Sequence, residues 1–368
     1  MSTRLILVVA GDPSGDLHAS SLIEALKRRD PGVRVAAVGG PLCRAAADEF
    51  LEDLASRGVT GFLEPALNIP FLIKLGSRLK SFIDEHRPTA LICVDYYGFN
   101  RRILPMAQAA GVPAFYFVSP QVWASRPGRV KILKKLVKKM LVIFPFEEQL
   151  YREAGVPVEF VGHPLLDLIP EPAAHTPDPK ALIIGLLPGS RSSELERHIP
   201  VFYEAFRILR KTRPGMRGLL FASANQPNSV YGALPHGVEI VREQDYRLRA
   251  TLDLALCSSG TATLENALLG VPMVVVYRLS WPTYLIARAL VNVKHIAMAN
   301  LLAGRAVVPE LIQGDATPER AAAEAARFLD DAALSARTRE ELLAIRRTLG
   351  EPGCADRAAK TILSEAAR

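Results

Sequence analysis

At 368 residues the chain exceeds the size at which one hydrophobic core usually keeps growing, so two domains are expected. Hydrophobic residues make up 49% and charged residues 23% of the sequence, which excludes a disordered chain. A net charge of +7 and a pI near 9.3 suit a nucleic acid, an anionic membrane face or a phosphorylated substrate, without choosing among them.

Arg4 to Ala10 is too short an apolar run for a signal peptide and reads as a first buried strand. Leu5–Val9, Val33–Val38, Ala90–Val94, Ala114–Val118 and Met140–Ile143 are strand-like runs with helical patterns between several of them, as in an α/β parallel sheet wrapped by helices. Pro170, Pro172, Pro177 and Pro179 mark a linker at about residues 165–180. The pattern restarts with Leu182–Leu187, Gly218–Ala222, Val238–Val241, Leu252–Cys257 and Met273–Tyr277, which implies two Rossmann-like sheets in tandem facing a central cleft. The expected domains are 1–165, joined by the C-terminal helix 350–368, and 180–349. No run of roughly 18 apolar residues occurs, so membrane contact is expected to be peripheral. Cys43, Cys93, Cys257 and Cys354 lack paired spacing, which argues against a zinc site or a disulfide framework and for a reducing cytosol.

Three strand-to-helix loops carry polar chemistry. The first, Gly11-Asp12-Pro13-Ser14-Gly15-Asp16-Leu17-His18, crowds two carboxylates and a histidine into a tight turn without the dinucleotide fingerprint. Acid–base work or hydroxyl binding is the sharper reading, and N-capping by Ser14 or Asp16 the plainer one. In the second, Leu187-Pro188-Gly189-Ser190-Arg191, Gly189 frees backbone N–H groups and Arg191 can fork onto phosphate oxygens. The third, Ser258-Ser259-Gly260-Thr261-Ala262-Thr263-Leu264-Glu265, again sets small residues before a helix. Together the last two make a diphosphate cradle in which Glu265 can accept both hydroxyls of a ribose. No Asp-x-Asp pair occurs, so helix N-termini and Arg191 are expected to neutralise the leaving group without a metal or other cofactor.

With these loops, Val-Gly-Gly-Pro (38–41), Val-Ser-Pro-Gln-Val-Trp-Ala (118–124), Phe-Pro-Phe-Glu (144–147), Val-Gly-His-Pro (161–164) and Asn-Leu-Leu-Ala-Gly-Arg (300–305) complete a set, in order and spacing, that resembles lipid-A-disaccharide synthase. The resemblance implies a two-domain GT-B glycosyltransferase, with a lipid-acceptor domain first and a UDP-sugar donor domain second. It implies inverting transfer from UDP-2,3-diacylglucosamine to the 6-hydroxyl of 2,3-diacylglucosamine 1-phosphate at the cytoplasmic face of the inner membrane. It also places Arg191, Ser259–Thr263 and Glu265 in the nucleotide site, and Asn300, Gly304, Arg305, Glu310 and Gln313 near the donor. Two positions depart from the family pattern: Asp12 stands where Glu is usual, and Gly98 where many members carry an aspartate. Asp95, Asp12 or Asp16 is then the expected general base, with His18 and His163 as alternatives.

Toward the lipid side, Phe62 to Leu75 is apolar and broken by proline, Lys74, Arg78 and Lys80 follow, and Arg126 to Lys139 forms a basic amphipathic stretch. Core packing of Val130, Leu133, Val137 and Leu141 under a solvated lysine face explains that stretch equally well. Trp281 to Leu302 reads equally as helix packing, a homodimer contact or acyl contact. A related UDP-sugar transferase with another acceptor and a non-catalytic UDP-sugar or lipid binder are the competing readings. Nucleic acid is not an expected partner, because no recognition motif or aromatic-basic surface accompanies the charge.

Overall fold

The computed structural model describes residues 4–57, 69–123, 128–223, 226–243, 245–290 and 294–366. Phe62 to Asn68, Ala124 and Arg126 lie outside the described residues. The chain divides into two compact units, Met1–Asp167 with Leu349–Arg368, and Leu168–Thr348.

The first unit runs β1 (Leu5–Ala10), α1 (Pro13–Arg29), β2 (Arg34–Gly39), α2 (Pro41–Ala46), β3 (Glu49–Asp53), α3 (Ile69–His86), β4 (Ala90–Val94), α4 (Tyr97–Ala109), β5 (Ala114–Phe117), α5 (Gly128–Leu136), β6 (Lys139–Val142), α6 (Pro145–Glu153), β7 (Val158–Phe160) and α7 (Leu165–Leu168, whose last residue enters the second unit). Its seven strands are parallel in the order β3-β2-β1-β4-β5-β6-β7. Order reverses at β1 and β4, where Val9 sits opposite Cys93. The crevice at this switch point is where open α/β sheets bind ligands. Leu7, Val8, Val9 and Ala10 are fully buried, the signature of a central parallel strand covered on both faces.

The second unit runs β8 (Ile183–Leu187), α8 (Ser192–Thr212), β9 (Arg217–Phe221), β10 (Val238–Val241), β11 (Leu254–Cys257), α9 (Thr261–Leu268), β12 (Met273–Tyr277), α10 (Trp281–Leu290), α11 (Met298–Ala303), β13 (Glu310–Ile312), α12 (Pro318–Asp330) and α13 (Ala332–Thr348). Six parallel strands follow the order β10-β9-β8-β11-β12-β13, so its switch point lies between β8 and β11. The last helix, α14 (Cys354–Ala366), packs on α1 of the first unit and buries Ala358, Ala359 and Ile362. Arg29 forks onto Asp356 to hold its start, and Lys139 pairs with Glu365 near its end.

The expected strands are present within one or two residues, and three more, β3, β7 and β13, lie at sheet edges. Edge strands need no continuous apolar run, and Glu49-Phe50-Leu51-Glu52-Asp53 has none. All four cysteines are buried and free. Among the described residues no helix is long and apolar enough to cross a membrane.

Candidate active site

In the second unit both small-residue loops leave the carboxyl ends of the switch-point strands and line one cavity of about 320 Å³. Gly189 has φ 110°, a left-handed conformation that turns the chain from β8 into α8. A Cβ there would stand 2.5 Å from the Glu194 carboxylate, which accepts the Ser190 N–H at 3.3 Å and the Arg191 side chain at 2.9 Å. Glu194 thus occupies, within the protein, donors that an anion would use. Opposite, Gly260 caps α9 without a side chain, and Thr261 and Ala262 of its first turn, where helix amides lack intrahelical partners, line the same cavity. Ser259 donates to the Ile296 carbonyl at 2.8 Å, which fixes its loop.

Glu265 lines the same cavity, with one oxygen bonded to Tyr246 Oη at 3.0 Å and the other paired with Arg249. A carboxylate has about four acceptor sites, so these two bonds leave room for ribose hydroxyls. Arg249 lies 5.0 Å over the Phe221 ring, and Glu243 accepts its backbone N–H at 3.1 Å. Arg249, Glu243, Tyr246 and Phe221 belong to no recognisable motif. Phe221 nevertheless ends β9, and residues that end central strands of such sheets face the ligand crevice.

Asn300, Glu310 and Gln313 do not line this cavity. Asn300 is fully buried and spans Val307, Val308 and Glu310. Glu310 accepts the amides of Ile296 and Ala297, both at 3.0 Å, and so supports the segment that Ser259 grips. Gln313 holds Leu279 through both its amide and its carbonyl. Gly304 caps α11 in the left-handed conformation, and Arg305 pairs with Glu341 on the surface. Through Glu310 and the Ile296–Ala297 segment, Asn300 braces the Ser259 loop from behind.

In the first unit, Asp12 caps α1 by accepting the Gly15 N–H at 2.6 Å, the role expected of Ser14 or Asp16. Asp16 is buried and takes three backbone amides, Gly40 at 2.7 Å, Cys43 at 2.9 Å and Leu42 at 3.0 Å. Its carboxylate is committed to the start of α2.

Asp95 follows the end of β4, beside this loop. Asp95 and Tyr96 both adopt left-handed backbone, φ 43° and 39°, a costly arrangement for consecutive non-glycine residues. Asn100 Nδ2 at 2.9 Å and Tyr116 Oη both donate to the Asp95 carbonyl and hold the turn. The Tyr96 ring covers Gly11 so closely that a Cβ there would lie 2.0 Å from it. Burial, with the charge of Asp12 added, pushes the Asp95 carboxyl up to about 7. His18 and His163 are buried and pushed down to about 4 and about 3. Neutral imidazoles that weak are poor proton acceptors for an alcohol. Glu147 is pushed up to about 8 by burial and accepts the Phe144 N–H at 3.3 Å as a helix cap, which accounts for the Phe-Pro-Phe-Glu motif structurally.

The basic stretch before β6 divides. Val130, Leu133 and Val137 pack on the core, Lys138 and Lys139 bind Glu365, and Lys131, Lys134 and Lys135 stay exposed. On α3, Ile69 and Ile73 are exposed beside Lys74.

The sequence model of the lipid-A-disaccharide synthetase family matches residues 6–360. The chain is 41% identical to the lipid-A-disaccharide synthase of Geobacter metallireducens, covering 98% of this chain and 97% of that one. The chain belongs to the lipid-A-disaccharide synthase family. It is a glycosyltransferase of lipid A biosynthesis, and the family implies lipid A precursors as substrates. Among solved structures, the kitacinnamycin glycosyltransferase matches with TM-score 0.67 at 18% identity, covering 99% of each chain. The calicheamicin glycosyltransferase matches with TM-score 0.65 at 18% identity over the whole of both chains. At that identity the likeness establishes the fold, GT-B, as expected from the sequence.

Proposed function

We propose that the protein condenses UDP-2,3-diacylglucosamine with 2,3-diacylglucosamine 1-phosphate, giving the β-1,6-linked disaccharide 1-phosphate and UDP. In this reading the second unit binds the donor. The diphosphate lies against the amides after Gly189 and Gly260 with Arg191, and the ribose lies against Glu265. Arg191 reaches it by exchanging its Glu194 partner for phosphate oxygens.

The first unit, with α14, binds the acceptor and supplies Asp95 as general base. Asp95 takes the proton of the 6-hydroxyl as its oxygen attacks the anomeric carbon from the side opposite UDP. The new carbon–oxygen bond forms as the bond to the diphosphate breaks, and the charge passes to UDP, where helix N-termini and Arg191 stabilise it. Exposed Lys131, Lys134, Lys135 and Lys74, with Ile69 and Ile73, support peripheral contact with the cytoplasmic face of the inner membrane.

The observation that carries the reading is the pair of glycine turns at one switch point, each opening a helix N-terminus onto a single cavity. The test is UDP release from both substrates in detergent with EDTA, the product being checked by mass. Disaccharide formation under chelation is expected, without help from an aspartate at position 98. UDP binding without disaccharide, before and after Mg²⁺ is added, would mean another acceptor or a non-catalytic binder.

A further inference from the structure

Beside the nucleotide cavity, along the same carboxyl edge of the second sheet, lies a groove of about 350 Å³. Loops after β8 and β11 build the cavity, and loops after β12 and β13, the next strands in order, build the groove. Helix α8 serves both, with Glu194 on the cavity and Arg197 and Pro200, successive turns on, lining the groove.

We infer that this groove takes one acyl chain of the sugar-nucleotide donor, an inference resting on the donor reading above. The occupant follows from what lines the groove and from what lies next to it. Pro200, Leu279 and Trp281 give it an apolar wall, and Trp281 remains 64% exposed, an unusual state for so large an aromatic surface. Leu285, one turn along α10, is 60% exposed and extends the apolar surface. Arg197, Arg278 and Glu196 supply polar groups along the groove, suited to the carbonyl that joins an acyl chain to the sugar. A donor with its diphosphate at the switch point carries its acylated sugar next in line, and this groove is a concave surface along that edge.

The wall is held from behind. His198 is fully buried, with Nδ1 2.8 Å from the Pro188 carbonyl and Nε2 accepting the Arg278 N–H at 3.0 Å. This neutral ring ties the diphosphate loop to the groove segment. From the other side Gln313 keeps a left-handed backbone, φ 52°, while binding Leu279 N–H at 2.6 Å. Such strain persists where surrounding bonds over-determine it.

Gly314 allows the groove to be plugged. A Cβ there meets nothing within 4 Å, so Gly314→Phe fills space without disturbing the core. Kd is measured in detergent for UDP, for the long-chain diacyl donor, and for a donor with acetyl groups in place of the long chains. For Gly314→Phe and Trp281→Ala the long-chain Kd is expected to rise roughly tenfold or more, since each methylene forced back into water weakens binding several-fold. The Kd values for UDP and the acetyl donor are expected to stay within twofold. A long-chain Kd unchanged in both variants overturns the assignment. So does a Trp281→Ala protein that loses only its binding to anionic vesicles, which would make the surface a membrane contact. Failure of the assigned reaction is separately visible as absent turnover in the wild type, while the Kd comparison still decides the groove.

Discussion

At the residue scale the account turns on Asp95, whose strained turn and raised pKa are two sides of one arrangement. The turn brings a carboxyl to the switch point next to Asp12, and burial with that charge makes ionisation costly. The folded-state value of about 7 lies above the unfolded value, near 3.9. Between about pH 4 and 7 the folded protein therefore holds a proton that the unfolded chain has lost, and stability falls as pH rises through that window. Asp95→Asn, which cannot ionise, removes this loss. The variant's Tm relative to wild type is expected to increase from pH 4.5 to pH 8, as read by thermal unfolding across a buffer series. A pH-independent difference would mean that Asp95 is already ionised at low pH. Asp16 looks equivalent in sequence but receives three backbone amides where Asp95 has an acidic neighbour, and only packing reveals that difference.

At the scale of elements, what was legible in sequence depended on what each element must bury. Central strands such as β1 and β11 are continuous apolar runs because both faces are covered, and they were readable for that reason. The edge strands β3, β7 and β13 carry no such demand and were missed. The glycine loops of the cavity were legible because glycine before a helix has a physical reason there. Arg249, which lines the cavity, and Tyr246, which bonds Glu265, were not, since a loop between strands imposes no spacing on its polar residues. Asn300 and Glu310, expected near the donor, hold each other and the segment that Ser259 grips. The first turn of α4 bears on the departure at Gly98. This residue is exposed, and a Cβ there meets nothing within 4 Å. Gly98→Asp is expected to fold normally and to gain a few tenths to about 1 kcal/mol, from lost glycine entropy and a favourable helix N-terminus. Chemical denaturation measures this, and a loss of more than about 1 kcal/mol would mean that the turn needs glycine.

At the scale of the whole molecule the division of labour follows the two sheets. Each unit carries its polar chemistry at its own switch point, Asp95 between β1 and β4 and the glycine turns between β8 and β11. This pattern separates two kinds of damage. On the proposed reading, changes at the second switch point weaken donor binding, whereas a change at Asp95 removes proton transfer. The most direct measurement is therefore UDP affinity and kcat for Asp95→Asn beside wild type, with both lipid substrates saturating. The account predicts an unchanged Kd for UDP with kcat lowered roughly 10²- to 10⁴-fold, the usual worth of a general base. A variant that keeps near-wild-type kcat would contradict it and leave the proton to another group.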